Sequence, residues 1–414
     1  MKSWKHFLCA FAVACSLAAP AFAQARGDGG SSEAWEAVQF FREGRSLHRS
    51  GKLERASEYY KRALQTDPGR IEVLPYLALV LDKLGKYEEA EHCCDEYLEA
   101  EPQDTAVIFN KAVILFHHGD YDSSFELVNK LGSKMVTVSQ YHVLRGMLNL
   151  HDGNYADAAE SFNTALAIEP NNCDAASGLA SSLMQQGKYD EAAAVLRRAL
   201  SDHPRNPIIA NNWGVYLADN GNSGEALSFF EKASDDLPIA AVNALIVHNG
   251  DDFLLRAADL CDKNPDLLEA SVLYAAALYK AERWDEALEE FLKDKSSFSL
   301  EYAGLCCLHL KKYAEACSYL REAAQKEPCA RNFHNLSLAL YSTDPAEALA
   351  FARRAYRLEP NSSDIVYNLA YILDIGGDAK EALHYYEAWL NIEHDVKLEA
   401  QVQEHIKEIK PKAE

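Results

Sequence analysis

Residues 207–240 read PIIANNWGVYLADNGNSGEALSFFEKASDDLPIA, and this stretch decides the fold. Ala210, Trp213, Gly214 and Leu217 recur at helical spacing before Gly221, and Ala226, Phe230 and Ala233 do so after it. Pro238 closes the second run, at a helix boundary where a missing N–H and a fixed φ are tolerated. The stretch predicts two helices joined by a glycine turn. A turn so short sets them antiparallel, and glycine permits a backbone angle that other residues resist.

The same turn is written five more times upstream. Gly51, Gly85, Gly119, Gly153, Gly187 and Gly221 are each 34 residues apart. With glycine at about 7% of residues, five coincidences in register have a chance probability of roughly one in a million. Five residues after these glycines stand Ala56, Ala90, Ser124, Ala158, Ala192 and Ala226, small residues that mark close helix packing. Pro68, Pro102, Pro170, Pro204 and Pro238 keep the same time. One helix pair cannot bury its apolar face, whereas stacked pairs can. The expected fold is therefore all-α, a continuous right-handed superhelix in which each unit contacts mainly its neighbours.

These residues resemble the tetratricopeptide repeat family, whose pattern is an aromatic or apolar residue, Leu-Gly, then Tyr, Ala, an aromatic and Pro. Units at 37–70, 71–104, 105–138, 139–172 and 173–206 precede 207–240 without a gap. Two of them are irregular: Asn149 replaces a large apolar residue, and Leu131-Gly132-Ser133 ends the third unit without its proline. After Ala240 the rhythm lapses, because Pro238 to Pro265 is only 27 residues, with Asn249-Gly250-Asp251-Asp252 as the turn of a short seventh unit. Trp284-Asp285-Glu286-Ala287 restores the pattern in the eighth, and Gly304, Tyr313, Ala316, Leu320, Ala323 and Pro328 mark the ninth. In the tenth, Asp344-Pro345 stands where the glycine turn belongs, and Asn368-Leu369-Ala370, Leu373, Gly377, Ala382 and Tyr386 define an eleventh. The expected organisation is a signal peptide at 1–23, a flexible leader at 24–36, six repeats at 37–240, a short irregular unit at 241–267, four repeats at 268–394, and a capping helix and tail at 395–414. That amounts to about 22 repeat helices and a cap, with a weaker seam after Ala240.

Composition narrows the function. The chain has 41 Lys+Arg against 63 Asp+Glu, a net charge of -22, which opposes attraction to nucleic-acid phosphates. Lys2 and Lys5 precede an apolar run from Phe7 to Ala19, and Ala21-Phe22-Ala23 has the small-x-small form of a secretory cleavage site. The run is too short to span a bilayer, and no later segment stays apolar long enough, so no transmembrane span is expected in the mature chain. Export to the periplasm is the expected destination, with outer-membrane association or secretion as the others. Ala12-Val13-Ala14-Cys15 loosely resembles a lipoprotein signal, which would anchor the chain through lipid on Cys15.

Catalytic motifs are missing from the sequence: no nucleophile elbow, P-loop, dinucleotide fingerprint or His-Glu-x-x-His occurs, and no cofactor is expected. His117-His118 with Asp120 falls at a helix end and a turn, which reads as solvated surface and not as a metal site. Eight cysteines remain after the signal peptide. Cys94 and Cys307 fall at core positions, which favours buried thiols; should a disulfide form, antiparallel helices about Lys311-Lys312 place Cys306 opposite Cys317.

The resemblance implies a protein-protein interaction scaffold, its first helices lining a concave surface for a protein or peptide partner. Candidate groove residues are Phe41, Tyr76 and Phe109, with Asn110, Asn212, Asn335 and Asn368 at the equivalent first-helix place, and Arg331, His334, Tyr367 and Tyr371 close to the last two. Aromatics can hold side chains while amides bond a peptide backbone. The competing expectation is that these side chains fill gaps and bond neighbouring helices. Other function classes are an accessory of a secretion or polysaccharide-export complex, if Cys15 is lipidated, and a small-ligand receptor or enzyme on a helical-repeat scaffold, which a bound small molecule would reveal.

Overall fold

The computed structural model describes residues 32–248, 250–392 and 396–413. The signal peptide with Cys15, and residues 24–31 of the leader, lie outside the described residues. Among those described there are 23 α-helices and no strand. The chain is an all-α solenoid of antiparallel helix pairs, divided into two compact units, Met1–Ala240 and Ala241–Glu414.

The first unit pairs α1 (Ser32–Arg49) with α2 (Leu53–Thr66), α3 (Leu74–Lys83) with α4 (Tyr87–Ala100), α5 (Thr105–His118) with α6 (Tyr121–Leu131), α7 (Ser139–His151) with α8 (Tyr155–Ile168), α9 (Cys173–Gln185) with α10 (Tyr189–Asp202), and α11 (Pro207–Asp219) with α12 (Ser223–Ala233). Helix α1 corrects the expected leader, because residues 32–36 are already helical. Helix α13 (Pro238–His248) begins at Pro238, the last proline of this unit. The second unit holds α14 (Phe253–Lys263), then the pairs α15 (Leu268–Lys280) and α16 (Trp284–Phe291), α17 (Ser297–His309) and α18 (Tyr313–Lys326), α19 (Ala330–Leu340) and α20 (Pro345–Leu358), and α21 (Ser363–Ile375) and α22 (Ala379–Trp389), with α23 (Val396–Ala413) packed on α22.

Local chemistry sets these boundaries. Gly119 ends α5 at φ 87°, in the left-handed region, and lets the chain reverse within two residues; Asp120 N then bonds Leu115 O at 2.9 Å. Asn206 caps α11 by accepting from Ile208 N and Ile209 N, and Asp104 caps α5 in the same way. Where the tenth repeat lacks a turn glycine, Asp344 accepts from Glu347 N and Pro345 occupies the first turn, so a capped start replaces the turn glycine. The irregular third unit ends in a short 3-10 turn at Gly132–Lys134. Asn149 is buried and folds its amide back onto Arg145 O at 2.9 Å, which satisfies its donor along its own helix.

The core repeats with the sequence. Ala56, Ala90, Ser124, Ala158, Ala192 and Ala226 are all sealed from solvent, as are Tyr60, Cys94, Val128, Phe162, Leu196 and Phe230 four residues on. Ser124 keeps its hydroxyl satisfied on Ala112 O at 2.7 Å. Phe162 fills the hollow between two first helices: an added Cβ at Gly146 would lie 2.8 Å from its ring, and one at Gly178 would overlap it.

Candidate functional site

Within each unit the first helices of successive repeats touch, α3 with α5, α5 with α7, α7 with α9 and α9 with α11 in the first, α17 with α19 and α19 with α21 in the second. Each unit so presents a face made of first helices. Asn110, Asn212, Asn335 and Asn368 hold one equivalent place on α5, α11, α19 and α21, and all four are buried. This corrects the expectation that their amides line an open groove. Asn212 donates to Ser177 Oγ on the preceding first helix. Asn335 donates to Glu301 Oε1 at 2.8 Å, and Asn368 to Ser337 Oγ at 2.7 Å with His334 Nδ1 at 3.5 Å. A buried amide left without a partner costs about 1–3 kcal/mol, so each takes the polar group that the neighbouring repeat offers.

Asn110 shows the same rule by exception. It is 1% exposed, and neither amide atom has a bond among the described residues. Counting back the 35 residues that separate Asn212 from Ser177 leads from Asn110 to Pro75, a residue with no side-chain hydrogen-bonding group.

In the second unit Glu301 gathers the polar groups. Its carboxylate is 2% exposed and meets the guanidinium of Arg331, 42% exposed, at 2.8 Å. Burial pushes the Glu301 carboxyl up to about 7, against the pull of Arg331. Burial also lowers the His334 imidazole, opposed by the charge of Asp364. Tyr367 is half-buried against Tyr386 and Trp389, with ring centres 5.9 and 5.7 Å away. Tyr371 is exposed, parallel to Tyr367 at 6.4 Å and edge-on to the exposed Tyr341 at 6.1 Å. The structure thus brings Arg331, Asn335, His334, Asn368, Tyr367 and Tyr371 into one region, but leaves only Arg331 and the outer tyrosines turned to solvent.

In the first unit Phe41 and Tyr76 meet at 5.2 Å and share Tyr60 at 5.9 and 6.2 Å. Arg45 lies over both, 5.7 Å from the Phe41 ring centre and 5.3 Å from that of Tyr76. Phe109 is buried among Ala112, Leu144 and Leu148 and belongs to the core, not to a surface.

The tetratricopeptide repeat family matches residues 47–108 and 149–211, and a second family of that description matches residues 336–395. A solved tetratricopeptide repeat protein from Parabacteroides merdae aligns over 59% of this chain and 99% of its own at 19% identity and a TM-score of 0.50. The family matches fall on the repeating helix pairs, and they decide the family. The chain belongs to the tetratricopeptide repeat (TPR) superfamily. Yeast Tom70 aligns over 91% of the chain and 96% of its own at 15% identity and a TM-score of 0.41, and Pseudomonas aeruginosa pilF over 50% and 95% at 17% and 0.42.

All eight described cysteines are free, so the pair Cys306 and Cys317 is not joined. Cys306 is packed in the core of the second unit, and Cys317 shares a hydrogen bond with Thr343. His117 Nδ1 pairs with Asp82 Oδ1 at 2.6 Å, and no group of three metal-binding side chains exists among the described residues. Sequence reading named Arg331 and Asn335 but missed Glu301, which holds both. Its only trace was an acidic residue inside the apolar first-helix run Phe298-Ser299-Leu300-Glu301-Tyr302. Arg45 was missed as well, although Arg42, Arg45 and Arg49 share one helical stripe in an acidic chain.

Proposed function

We propose that this TPR protein is a non-catalytic scaffold, exported to the cell envelope with the periplasm as its destination, that holds a segment of a partner protein on the first-helix face of its second unit. One observation carries the reading: the Arg331 guanidinium is held at 2.8 Å by a buried carboxylate at the start of α19, and Tyr341 and Tyr371 expose their rings at the other end of that helix. A guanidinium oriented in advance presents a planar, permanently charged donor, and tyrosines supply contact area at small entropic cost. Export rests on Lys2, Lys5, the apolar run and Ala21-Phe22-Ala23; an anchored form rests on Cys15 alone.

Affinity capture from envelope extracts with the wild-type chain and with an Arg331→Ala, Tyr371→Ala double variant tests the binding face. A partner retained by the first and lost by the second is expected; equal recovery from both refutes this site. The mass of the mature N-terminus tests export: a chain starting at Gln24 is expected, lipid on Cys15 selects the anchored form, and an intact Met1 removes the export reading.

A further inference from the structure

Positive charge collects at one end of the first unit, against the sign of the whole chain. Between residues 37 and 55 stand Arg42, Arg45, Arg49, Lys52 and Arg55 against Glu43 and Glu54, in a chain of net charge -22. Arg42, Arg45 and Arg49 recur along α1 at helical spacing, and Lys83 joins them from the last turn of α3. Their nearness is visible in their fields: Arg45 and Arg49 both act on the Tyr60 phenol, and Lys83 acts on His48. Among the described residues none of these four cations has a carboxylate within ion-pairing distance, whereas Lys61, Lys111, Arg321, Arg331 and Arg353 all do.

The patch is also ordered from beneath. The rings of Phe41, Tyr60 and Tyr76 have their centres within 6.2 Å of one another, and the Arg45 guanidinium lies over two of them. Ring faces beneath a guanidinium hold its charge in place, and a guanidinium can take a carboxylate side-on. Arg42, Arg49 and Lys83 are exposed around it.

We infer that this α1/α3 surface docks an acidic partner segment, one that presents several side-chain carboxylates in extended form. It rests on the scaffold reading but concerns a different unit and different residues. Charge complementarity selects the occupant: an acidic segment is repelled by most of this surface and attracted here, so the patch fixes where and in what register it lands.

The test uses the full chain and a fluorescent peptide of Glu and Ser, acetylated and amidated so that it has no terminal charge, beside the same peptide with Gln for Glu. Binding of the Glu peptide is expected, weaker with added salt, and at least about tenfold weaker for the Gln peptide. Arg49→Gln with Lys83→Gln, both exposed, should weaken it about tenfold without lowering the melting temperature, and Arg45→Lys should weaken it although the charge is kept. The Arg331→Ala, Tyr371→Ala variant should bind the peptide like the wild type, which separates this proposal from the second-unit site. No binding of the Glu peptide, equal binding of the Gln peptide, an unaffected Arg49/Lys83 variant, a requirement for a free C-terminal carboxylate, or binding to phosphatidylserine vesicles in place of the peptide would each overturn it.

Discussion

Glu301 and Arg331 meet at 2.8 Å across adjacent first helices, one end of the pair 2% exposed and the other 42%. A carboxyl in that position is caught between two opposing effects. Burial favours its neutral form, the guanidinium favours its charge, and burial prevails.

Stability of the second unit should therefore fall as pH rises. The folded chain keeps the Glu301 proton up to about 7, whereas an unfolded carboxyl loses it near 4.5, so between those values the folded state binds more protons and is progressively disfavoured. Asp174 has the same sign in the first unit, raised to about 6 by burial and by Glu169. Urea midpoints near pH 5 and pH 8 should show a smaller drop in Glu301→Gln and in Asp174→Asn than in the wild type. An unchanged drop in both variants would contradict this account.

Asn335→Ala should destabilise the fold and not merely weaken a partner. It removes the donor to Glu301 Oε1 at 2.8 Å inside the core, at a cost of about 1–3 kcal/mol. Thermal unfolding of the variant reads the loss. A melting temperature equal to the wild type would return Asn335 to the groove.

Gly178→Ala should cost about 1–3 kcal/mol or more, because its Cβ overlaps the ring of Phe162. Phe162→Leu clears that space. In the double variant the two losses should sum to less than their separate values, which a double-mutant cycle measures.

Lys311 turns the ninth repeat at φ 60°, as Glu282 turns the eighth. A side chain in the left-handed region costs about 1–2 kcal/mol, and glycine loses about 0.5–1 kcal/mol in chain entropy. Lys311→Gly should consequently stabilise the chain by up to about 1 kcal/mol, with Lys311→Ala giving no such gain. Denaturation midpoints of the two variants decide it.

Cys93, Cys94, Cys306 and Cys307 should resist alkylation in the native state. Burial pushes all four thiols up, Cys306 to about 12 and Cys307 to about 11, so little thiolate is present near neutral pH. Denaturant without reductant should expose all eight described thiols to the reagent. Mass spectrometry showing two of them linked would refute the free state.

The repeat was legible because it is local. A 34-residue period written in glycines, alanines and prolines states where each helix begins, which face it buries and which neighbour it meets, and these follow from spacing and volume alone. Ala56, Ala90 and Ser124 are sealed for the reason their size suggested, and the lapse of the period after Ala240 falls where the two compact units divide. Equivalent places in the period did not have equivalent partners, however. Asn212 finds Ser177, Asn335 finds Glu301, and the Asn110 amide has no hydrogen-bond partner among the described residues. Which polar group a buried amide meets depends on one residue a full repeat away, and on whether packing seals both from water. The raised carboxyl of Glu301 and the ring contact of the Arg45 guanidinium with Tyr76 have the same origin, since burial and ring contact exist only once neighbouring repeats have closed on each other.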